Sequence, residues 1–344
     1  MKKKTTKIIF GILILLLLLV GAIVGVGYYK INSPFFDIQE STSIYIDEKK
    51  DYNKLLSELQ SETRIKDIRV FEALASAMTY PENIKTGKYN INPEMTCLEA
   101  IRMFRSGQQV PVKITFNNIR LKKDLADRIG SQLMFDSQSL LDNLNSPNIC
   151  SSLGFDTITI VSMFIPNTYE MYWNIPVDRF LERMKTEYDR FWAEERLEKA
   201  KRISLSPIEV SILASIVEEE TADKSEYPVV AGLYINRLKK GMLLQADPTV
   251  KFAIGDVTLK RILFAHLEVD SPYNTYKNLG LPPGPIRIPS IAGIDAVLNY
   301  SQHSYLYMVA KEDFSGKHNF AVTLSEHNRN AKKYQAALNR AGIR

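Results

Sequence analysis

The feature that most constrains the fold is an uncharged apolar run near the start of the chain. Residues 8–29 read IIFGILILLLLLVGAIVGVGYY and include no charged side chain. As an α-helix, a run of this length rises roughly 33 Å, the thickness of the hydrocarbon core of a bilayer. It is longer than the core of a cleaved signal peptide, and Gly25-Val26-Gly27 makes a poor cleavage site. An uncleaved, single-pass transmembrane anchor is therefore expected rather than a signal peptide.

Lysines flank this run unequally. The segment before it, MKKKTTK (residues 1–7), has four lysines, whereas Lys30 alone follows directly. The positive-inside rule then leaves the N-terminus in the cytoplasm and exports the rest. Apart from those four lysines the chain has 40 basic and 39 acidic residues, so its charge gives no reason to expect nucleic acid as a partner.

The exported part is predicted to contain a linker and two folded domains of mixed α+β class. Residues 30–41 are the linker. Residues 42–110 form a small unit of strands and helices, in which Thr96 caps a helix that Gly107 ends. Residues 111–344 form the larger domain.

Within the larger domain the pattern predicts long helices and one rigid loop. VDRFLERMKTEYDRFWAEERLEKA (residues 177–200) is predicted as one helix, and YLYMVA (305–310) as the last strand. Seven of the twenty residues at 271–290 are proline or glycine, which predicts a fixed loop of the kind that lines sites. Cys97 and Cys150 make no disulfide framework, and two free, buried thiols are expected.

The helix beginning at Ser206 raises the question of why a carboxylate would lie on an apolar helix face. Ser206 and Glu209 form a capping box around Pro207, and apolar residues then recur at helical spacing as far as Val217. The run closes with three consecutive glutamates. At about 100° per residue, Glu220 points into the apolar stripe.

The other two glutamates are predicted to point elsewhere. Glu219 lies at the edge of the stripe, where its charge would raise the pKa of Glu220. Glu218 lies on the polar side beside Ser211 and Ser215. A buried carboxylate at Glu220 has two explanations: an ion pair with Lys224 or Arg237, or a general acid with a raised pKa. The helix alone does not decide between them.

Several kinds of chemistry lack their motifs. The chain has no Walker loop, no G-x-G-x-x-G after a strand, no G-x-S-x-G and no H-E-x-x-H. The histidines lack metal-ligand spacing and are predicted to be solvated loop residues: His266, His303, His318 and His327. No metal and no cofactor are expected.

Polar and aromatic residues follow the glutamate helix within about fifty positions. Amides and hydroxyls suit sugar hydroxyl groups, and aromatic faces suit the C–H surface of a sugar ring. The predicted saccharide-binding residues are Gln245, Asp247, Thr249, Tyr273, Asn274 and Tyr276, with Glu170 as a further candidate. Each has the alternative of an ordinary turn residue.

These pieces resemble the endolytic murein transglycosylase family, also called YceG-like. The strings that carry the resemblance are KTGKYNINPEMT, FIPNTYEMYW, LASIVEEET, INRLKKGMLLQADPTV, YNTY and GLPPGPI, in that order. One departure is Asn167, where the family more often has aspartate. The resemblance implies that Glu220, directly before Thr221, is the catalytic acid. It also implies a LysM-like subdomain at 42–110 and a lysozyme-like catalytic domain.

The activity that the resemblance implies is cleavage of the MurNAc–GlcNAc β-1,4 bond in nascent peptidoglycan, without water, to give 1,6-anhydro ends. Gln245, Asn274 and Tyr273 would position the saccharide. Two alternatives stay open: a hydrolase with Asp247 as base, and a non-catalytic scaffold. The expected partners are glycan strands and peptidoglycan synthases (penicillin-binding proteins). The expected location is the bacterial cytoplasmic (inner) membrane, with the catalytic domain on the periplasmic side.

Overall fold

The computed structural model describes residues 2–256, 259 and 262–342. Its contacts divide the chain into two units. The first unit comprises Met1–Lys113, Gln132–Met134 and Glu170–Ile175, and the second comprises Ile114–Ser131, Phe135–Tyr169 and Pro176–Arg344. Helices and short two-stranded sheets alternate in the described residues, which agrees with the predicted α+β class. The functional assignment of 42–110 and 111–344 as two domains stays a prediction.

The first unit begins with the long apolar helix and continues as a small sheet with helices. Its elements are α1 (Lys2–Asn32), β1 (Thr42–Ile46), α2 (Tyr52–Thr63), α3 (Ile68–Ala77), β2 (Gly87–Ile91) and α4 (Cys97–Ser106). β1 pairs antiparallel with β2, from Thr42 opposite Ile91 to Ile46 opposite Gly87. The inward-facing side chains of β1 and β2 join the helices in a core with Leu59, Phe71 and Phe104.

Local sequence signals set the limits of these helices. The Thr96 hydroxyl accepts a hydrogen bond from the Glu99 backbone N–H (3.2 Å), and the Glu99 carboxylate accepts one from the Thr96 N–H (2.9 Å). Gly107 ends α4 with a left-handed backbone (φ 76°), a conformation that favours glycine. The predicted cap and stop of this helix are confirmed.

Helix α1 has the length and composition of a membrane span. An 18-residue window within Ile8–Asn32 has a mean hydropathy of 3.2, and none of that window is buried against the rest of the protein. Large aliphatic side chains exposed over this length need an apolar environment.

The second unit is mainly helical. Its helices are α5 (Lys122–Gly130), α6 (Ser137–Asn145), α7 (Pro147–Ser152), α8 (Val177–Phe191), α9 (Glu195–Arg202), α10 (Pro207–Glu220), α11 (Tyr227–Lys239), α12 (Asp247–Ile254), α13 (Phe264–Leu267), α14 (Ile291–Leu298) and α15 (Leu324–Arg340). β5 (Tyr307–Ala310) pairs antiparallel with β6 (His318–Ala321). A further two-stranded sheet consists of β3 (Pro111–Thr115) and β4 (Thr168–Tyr172).

Helix α10 lies at the centre of the second unit. It packs against α9, α11, α12 and α14, and every residue from Val210 to Glu218 is buried. The predicted polar side is therefore wrong: Ser211 and Ser215 are fully buried. The Ser215 hydroxyl bonds the backbone, donating to the Ile212 carbonyl (2.7 Å) and accepting from the Ile286 N–H (3.0 Å). A serine whose hydroxyl is satisfied by the backbone can occupy a core position.

Two predicted elements differ from those observed. The helix predicted over 177–200 is two helices, α8 and α9, because the backbone turns at Glu194 (φ 21°). The strand at 305–310 is not the last, since β6 follows it. The loop at 271–290 is confirmed, and Cys97 and Cys150 are free and buried as predicted.

Candidate active site

Glu220 is the last residue of helix α10. Ser206 and Pro207 begin the helix, and the predicted capping box is present, with the Ser206 N–H donating to Glu209 (2.7 Å). Thr221 then takes an extended backbone. Its hydroxyl donates to Glu226 (3.0 Å) and accepts from the Asp223 N–H (3.1 Å). The end of the helix, and with it Glu220, is thus fixed by side-chain bonds.

Glu220 forms part of the wall of a polar cleft of about 210 Å³. The other lining residues come from α11, α12, the segment between them, the 271–290 loop, β5 and β6: Leu233, Tyr234, Arg237, Leu244, Gln245, Asp247, Tyr276, Met308, Val309, Ala310 and His318. A cleft of this size admits part of a sugar chain and keeps Glu220 in partial contact with solvent.

The surroundings of Glu220 raise its pKa to about 7, and burial is the main cause. The charge of Asp247 raises the pKa further. The Tyr234 hydroxyl, which donates to Glu220 Oε1 over 2.5 Å, lowers it, as do the charges of Arg237 and Lys251. Burial outweighs these stabilising contacts, so the carboxyl remains partly protonated at neutral pH.

The alternative of an ion pair at Glu220 has no support among the described residues. The contacts of Glu220 there include no lysine or arginine within 4.0 Å. Arg237 instead gives its hydrogen bonds to the carbonyls of Leu243, Leu244 and Leu306, at 2.6–3.0 Å. Two of these bonds, to Leu243 and Leu244, hold the segment that bears Gln245, and Arg237 acts on Glu220 through its charge alone.

Gln245 and Asp247 line the cleft as neighbours of Glu220. Gln245 has a left-handed backbone (φ 52°), and its side-chain oxygen accepts from Arg237 (3.2 Å). Asp247 begins α12 and accepts a hydrogen bond from the Tyr276 hydroxyl (2.6 Å). Both positions are exposed to a ligand in the cleft. Their predicted contact with a saccharide stays a prediction.

Asn274, Thr249 and Tyr273 do not line this cleft. Asn274 is fully buried; its amide donates to the carbonyls of Leu267 and Val269 (2.8 Å each), and its oxygen accepts from the Tyr276 N–H (3.0 Å). Such an asparagine shapes the loop that presents Tyr276, and its hydrogen-bonding groups are turned toward the backbone rather than toward a ligand.

Thr249 and Tyr273 also make internal contacts. The Thr249 hydroxyl is fully buried, donates to the Ala246 carbonyl (2.7 Å) and lies 2.9 Å from that of Thr275. The Tyr273 ring packs on Phe252, with centroids 4.7 Å apart. Their predicted role as direct sugar contacts has no support in this geometry.

Glu170 lies on β4 in the first unit. Its side chain is 63% exposed and is 3.9 Å from Lys113, the geometry of a solvated surface pair. It is absent from the lining of the cleft that holds Glu220.

The two glutamates before Glu220 lie beside arginines; Glu218 is buried and Glu219 is half-buried. Glu218, predicted to face away from the core, is only 8% exposed. It accepts from the Ser290 N–H (3.0 Å) and from the Ser290 hydroxyl, and lies 3.4 Å from Arg287. The prediction for Glu218 is wrong because α10 is covered on all sides and α14 begins against this residue.

Glu219 is paired with two arginines rather than repelling Glu220. It lies 2.7 Å from Arg120 and 2.8 Å from Arg287. With its charge offset in this way, the carboxylate that raises the pKa of Glu220 is Asp247. The predicted coupling between Glu219 and Glu220 is therefore corrected.

Among the polar residues of the cleft, sequence reasoning missed Tyr234 and His318. Tyr234 lies on α11 in an apolar run, where nothing distinguishes it from a core tyrosine. His318 was predicted to be a solvated loop residue, but it begins β6 and its ring bonds to the buried carboxylate of Glu226 (2.8 Å). That strand is only four residues long, too short for a clear alternating pattern.

Known proteins resemble this chain over most of its length. An "Endolytic murein transglycosylase" of Bacillus subtilis is 31% identical over 273 residues, which is 74% of each chain. A protein of the same name from Streptococcus pneumoniae is 23% identical over 90% of this chain, which spans 62% of that longer protein.

A solved structure and a family model match as well. The crystal structure of a YceG-like protein from Listeria monocytogenes superposes with a TM-score of 0.56 at 26% identity, covering 85% of this chain and 99% of that one. The model of the YceG-like family matches residues 44–333, a span that includes the cleft and Glu220. The chain belongs to the YceG-like family.

Proposed function

We propose that this protein is a membrane-anchored lytic transglycosylase that cleaves the MurNAc–GlcNAc β-1,4 bond within nascent glycan strands and so ends strand elongation. The observation that carries the proposal is the carboxyl of Glu220, whose pKa is raised to about 7 in the wall of a polar cleft. The names of the Bacillus and Streptococcus relatives support murein as the substrate.

In the first step, Glu220 acts as a general acid. Its protonated carboxyl donates to the glycosidic oxygen, the C1–O bond breaks, and positive charge develops at C1. A pKa of about 7 suits this role, because about half of the carboxyl groups carry the proton at neutral pH. The Tyr234 hydroxyl orients the carboxyl and stabilises it once it is ionised.

In the second step, the same residue acts as a base. Ionised Glu220 takes the proton of the sugar's own C6 hydroxyl as that oxygen bonds to C1. The bond closes a 1,6-anhydro ring, and the proton restores the acid for the next cycle. No water is consumed, so the reaction needs no second carboxylate to activate one.

The lining of the cleft supports a saccharide as ligand. Gln245, Asp247 and Tyr276 offer an amide, a carboxylate and a phenol within the same opening, the mixture that binds sugar hydroxyl groups. Because Asp247 shares the cleft, a hydrolase that uses Asp247 as the base for water is the second candidate.

The mass of the products separates these two reactions. Full-length protein in detergent would be incubated with uncrosslinked glycan strands in isotopically labelled water, and the fragments weighed. We expect anhydro ends without the label. Labelled ends, heavier by one water, would favour hydrolysis, and a Glu220→Gln variant that keeps the full cell-wall phenotype would favour a non-catalytic scaffold.

We further propose that residues 42–110 are a LysM-like module that positions the glycan. The first unit has its own core, and a groove of about 470 Å³ there is lined by Met78, Asn83, Lys85, Arg102, Arg105, Ser106 and Gln108. We expect removal of the module to weaken binding to strands but to leave residual cleavage. A folded but wholly inert remainder would instead make the module part of the site.

We also propose that α1 anchors the protein in the cytoplasmic membrane with its N-terminus inside. The lysines before Ile8 and the apolar helix support that orientation. The active site would then face the compartment in which glycan strands are polymerised, beside the peptidoglycan synthases. Protease added outside spheroplasts would degrade the exported part and spare the N-terminal tail.

A further inference from the structure

A buried carboxylate–imidazole pair lies beside the proposed catalytic acid. Glu226 is 7% exposed and its carboxylate accepts three hydrogen bonds. The donors are the Thr221 hydroxyl (3.0 Å), the His318 backbone N–H (2.8 Å) and His318 Nδ1 (2.8 Å). Thr221 directly follows Glu220, so one carboxylate fixes both the end of α10 and the imidazole of β6.

These bonds determine which nitrogen of His318 is left for a ligand. A carboxylate only accepts hydrogen bonds, so Nδ1 carries the hydrogen that it shares with Glu226. In a neutral ring, Nε2 is then an acceptor. No group in the described part of the chain hydrogen-bonds to Nε2, and the His318 side chain lines the cleft.

Three other polar side chains of the cleft each have one oxygen hydrogen-bonded to a protein group. Glu220 bonds to Tyr234, Asp247 to Tyr276, and the Gln245 oxygen to Arg237. An imidazole that lines a cleft, with Nδ1 held by a carboxylate and Nε2 without a partner in the described part of the chain, is arranged to receive a hydrogen bond from a ligand.

We propose that His318 is a substrate-binding residue whose Nε2 accepts a hydrogen bond from a hydroxyl of the bound saccharide, with Glu226 as its positioning residue. This proposal rests on the proposed function, since the ligand is the glycan that Glu220 cleaves. Glu226 makes the geometry rigid: it holds His318 at a constant position relative to the helix end that bears Glu220.

Two substitutions of His318 test its two ring nitrogens separately. In His318→Asn, the side-chain amide reaches the position of Nδ1 and keeps the bond to Glu226, but nothing replaces Nε2. In His318→Gln, an amide reaches the position of Nε2 and offers an acceptor there, while the bond to Glu226 is weakened. Each is made in the full-length Glu220→Gln protein, so that strands bind without being cleaved.

The measurement is the affinity for uncrosslinked glycan strands of one length, together with the Tm of each variant. We expect His318→Asn to bind about fivefold more weakly at an unchanged Tm, the effect of one lost neutral hydrogen bond. We expect His318→Gln to stay within about twofold of its parent and to lower the Tm, because it disturbs Glu226.

The opposite pattern would overturn the proposal. If His318→Asn binds like its parent, if both variants lose affinity equally, or if affinity falls only as the Tm falls, then His318 merely supports Glu226. Failure of the proposed function looks different: the unaltered protein would then leave the strands uncut, and the assignment of His318 would be withdrawn with it.

Discussion

Removing the Tyr234 hydroxyl should change the pH at which the protein works. This hydroxyl donates to Glu220 Oε1 over 2.5 Å and lowers the pKa of that carboxyl. A hydrogen bond to a charged group contributes about 1.5–3 kcal/mol, and one pH unit corresponds to about 1.4 kcal/mol. Because the protonated carboxyl also keeps part of the bond, we expect Tyr234→Phe to raise the pKa of Glu220 by about one unit.

The sign of the effect follows from the role of Glu220. The general acid is active when protonated, so a higher pKa extends activity to higher pH. The alkaline limb of the kcat/KM profile, expected near pH 7 for the unaltered protein, should move upward by about one pH unit. The assay is release of shortened fragments from uncrosslinked glycan strands between pH 5 and 9.

Tyr227→Phe is the matched control. Tyr227 lies on the same helix, α11, and is buried as well, but its surroundings include Glu218 and Glu219 rather than Glu220. We expect this control to leave the alkaline limb in place. An unchanged limb in Tyr234→Phe, or a downward shift, would refute the assignment of that limb to Glu220.

Three further predictions concern stability and reactivity. Glu220→Gln should stabilise the fold at pH 8 by up to about 3 kcal/mol but not at pH 4. The reason is that the pKa of Glu220 is about 7 in the folded state against an ordinary 4.5, so the folded state loses stability as pH rises between these values. Urea unfolding at both pH values checks this, and equal effects at the two pH values would contradict it. Glu218→Gln should lower the free energy of unfolding by about 1–3 kcal/mol, since it weakens the bonds to Ser290 and leaves Arg287 less well paired. An unchanged free energy of unfolding in the same assay would mean that Glu218 is not held as the structure shows. Cys97 and Cys150 should resist a thiol reagent until the protein unfolds, since both are buried and burial raises the pKa of Cys97 to about 12. Rapid labelling of the folded protein would contradict this prediction.

Much of the helical framework could be predicted because its signals are local. The capping boxes at Thr96 and Ser206 and the glycine stop at Gly107 act within a few residues. These features depend on hydrogen bonds that the adjacent sequence supplies.

The burial of helix α10 could not be predicted in the same way. The sequence shows serines and Glu218 on one side of the helix, which normally indicates contact with water. In the structure that side is covered, and partners distant in sequence, Ile286 and Ser290, satisfy the polar groups. A polar residue in a core is recognisable only once its partners are placed.

The residues that contact Glu220 or shift its pKa could not be predicted from the sequence either, because they lie on other elements of the fold. Tyr234 reaches it from the next helix, and Asp247 acts on it through its charge. Asn274 illustrates the opposite error, because its place in a polar loop suggested a ligand contact while its side chain is used to shape that loop. Residue type and spacing indicate Glu220 as the candidate acid, whereas the identity of the contacting side chains depends on tertiary structure.

The measurement that tests the central claim most directly compares Glu220→Gln with Glu220→Asp on glycan strands. Glutamine keeps the size of the side chain but has no proton to donate, so cleavage should fall by about 10²–10⁴-fold with folding intact. Aspartate keeps the acid on a shorter side chain, and it should retain more activity than glutamine. If Glu220→Gln cleaves strands at the rate of the unaltered protein, Glu220 is not the proton donor and the mechanism proposed here is wrong.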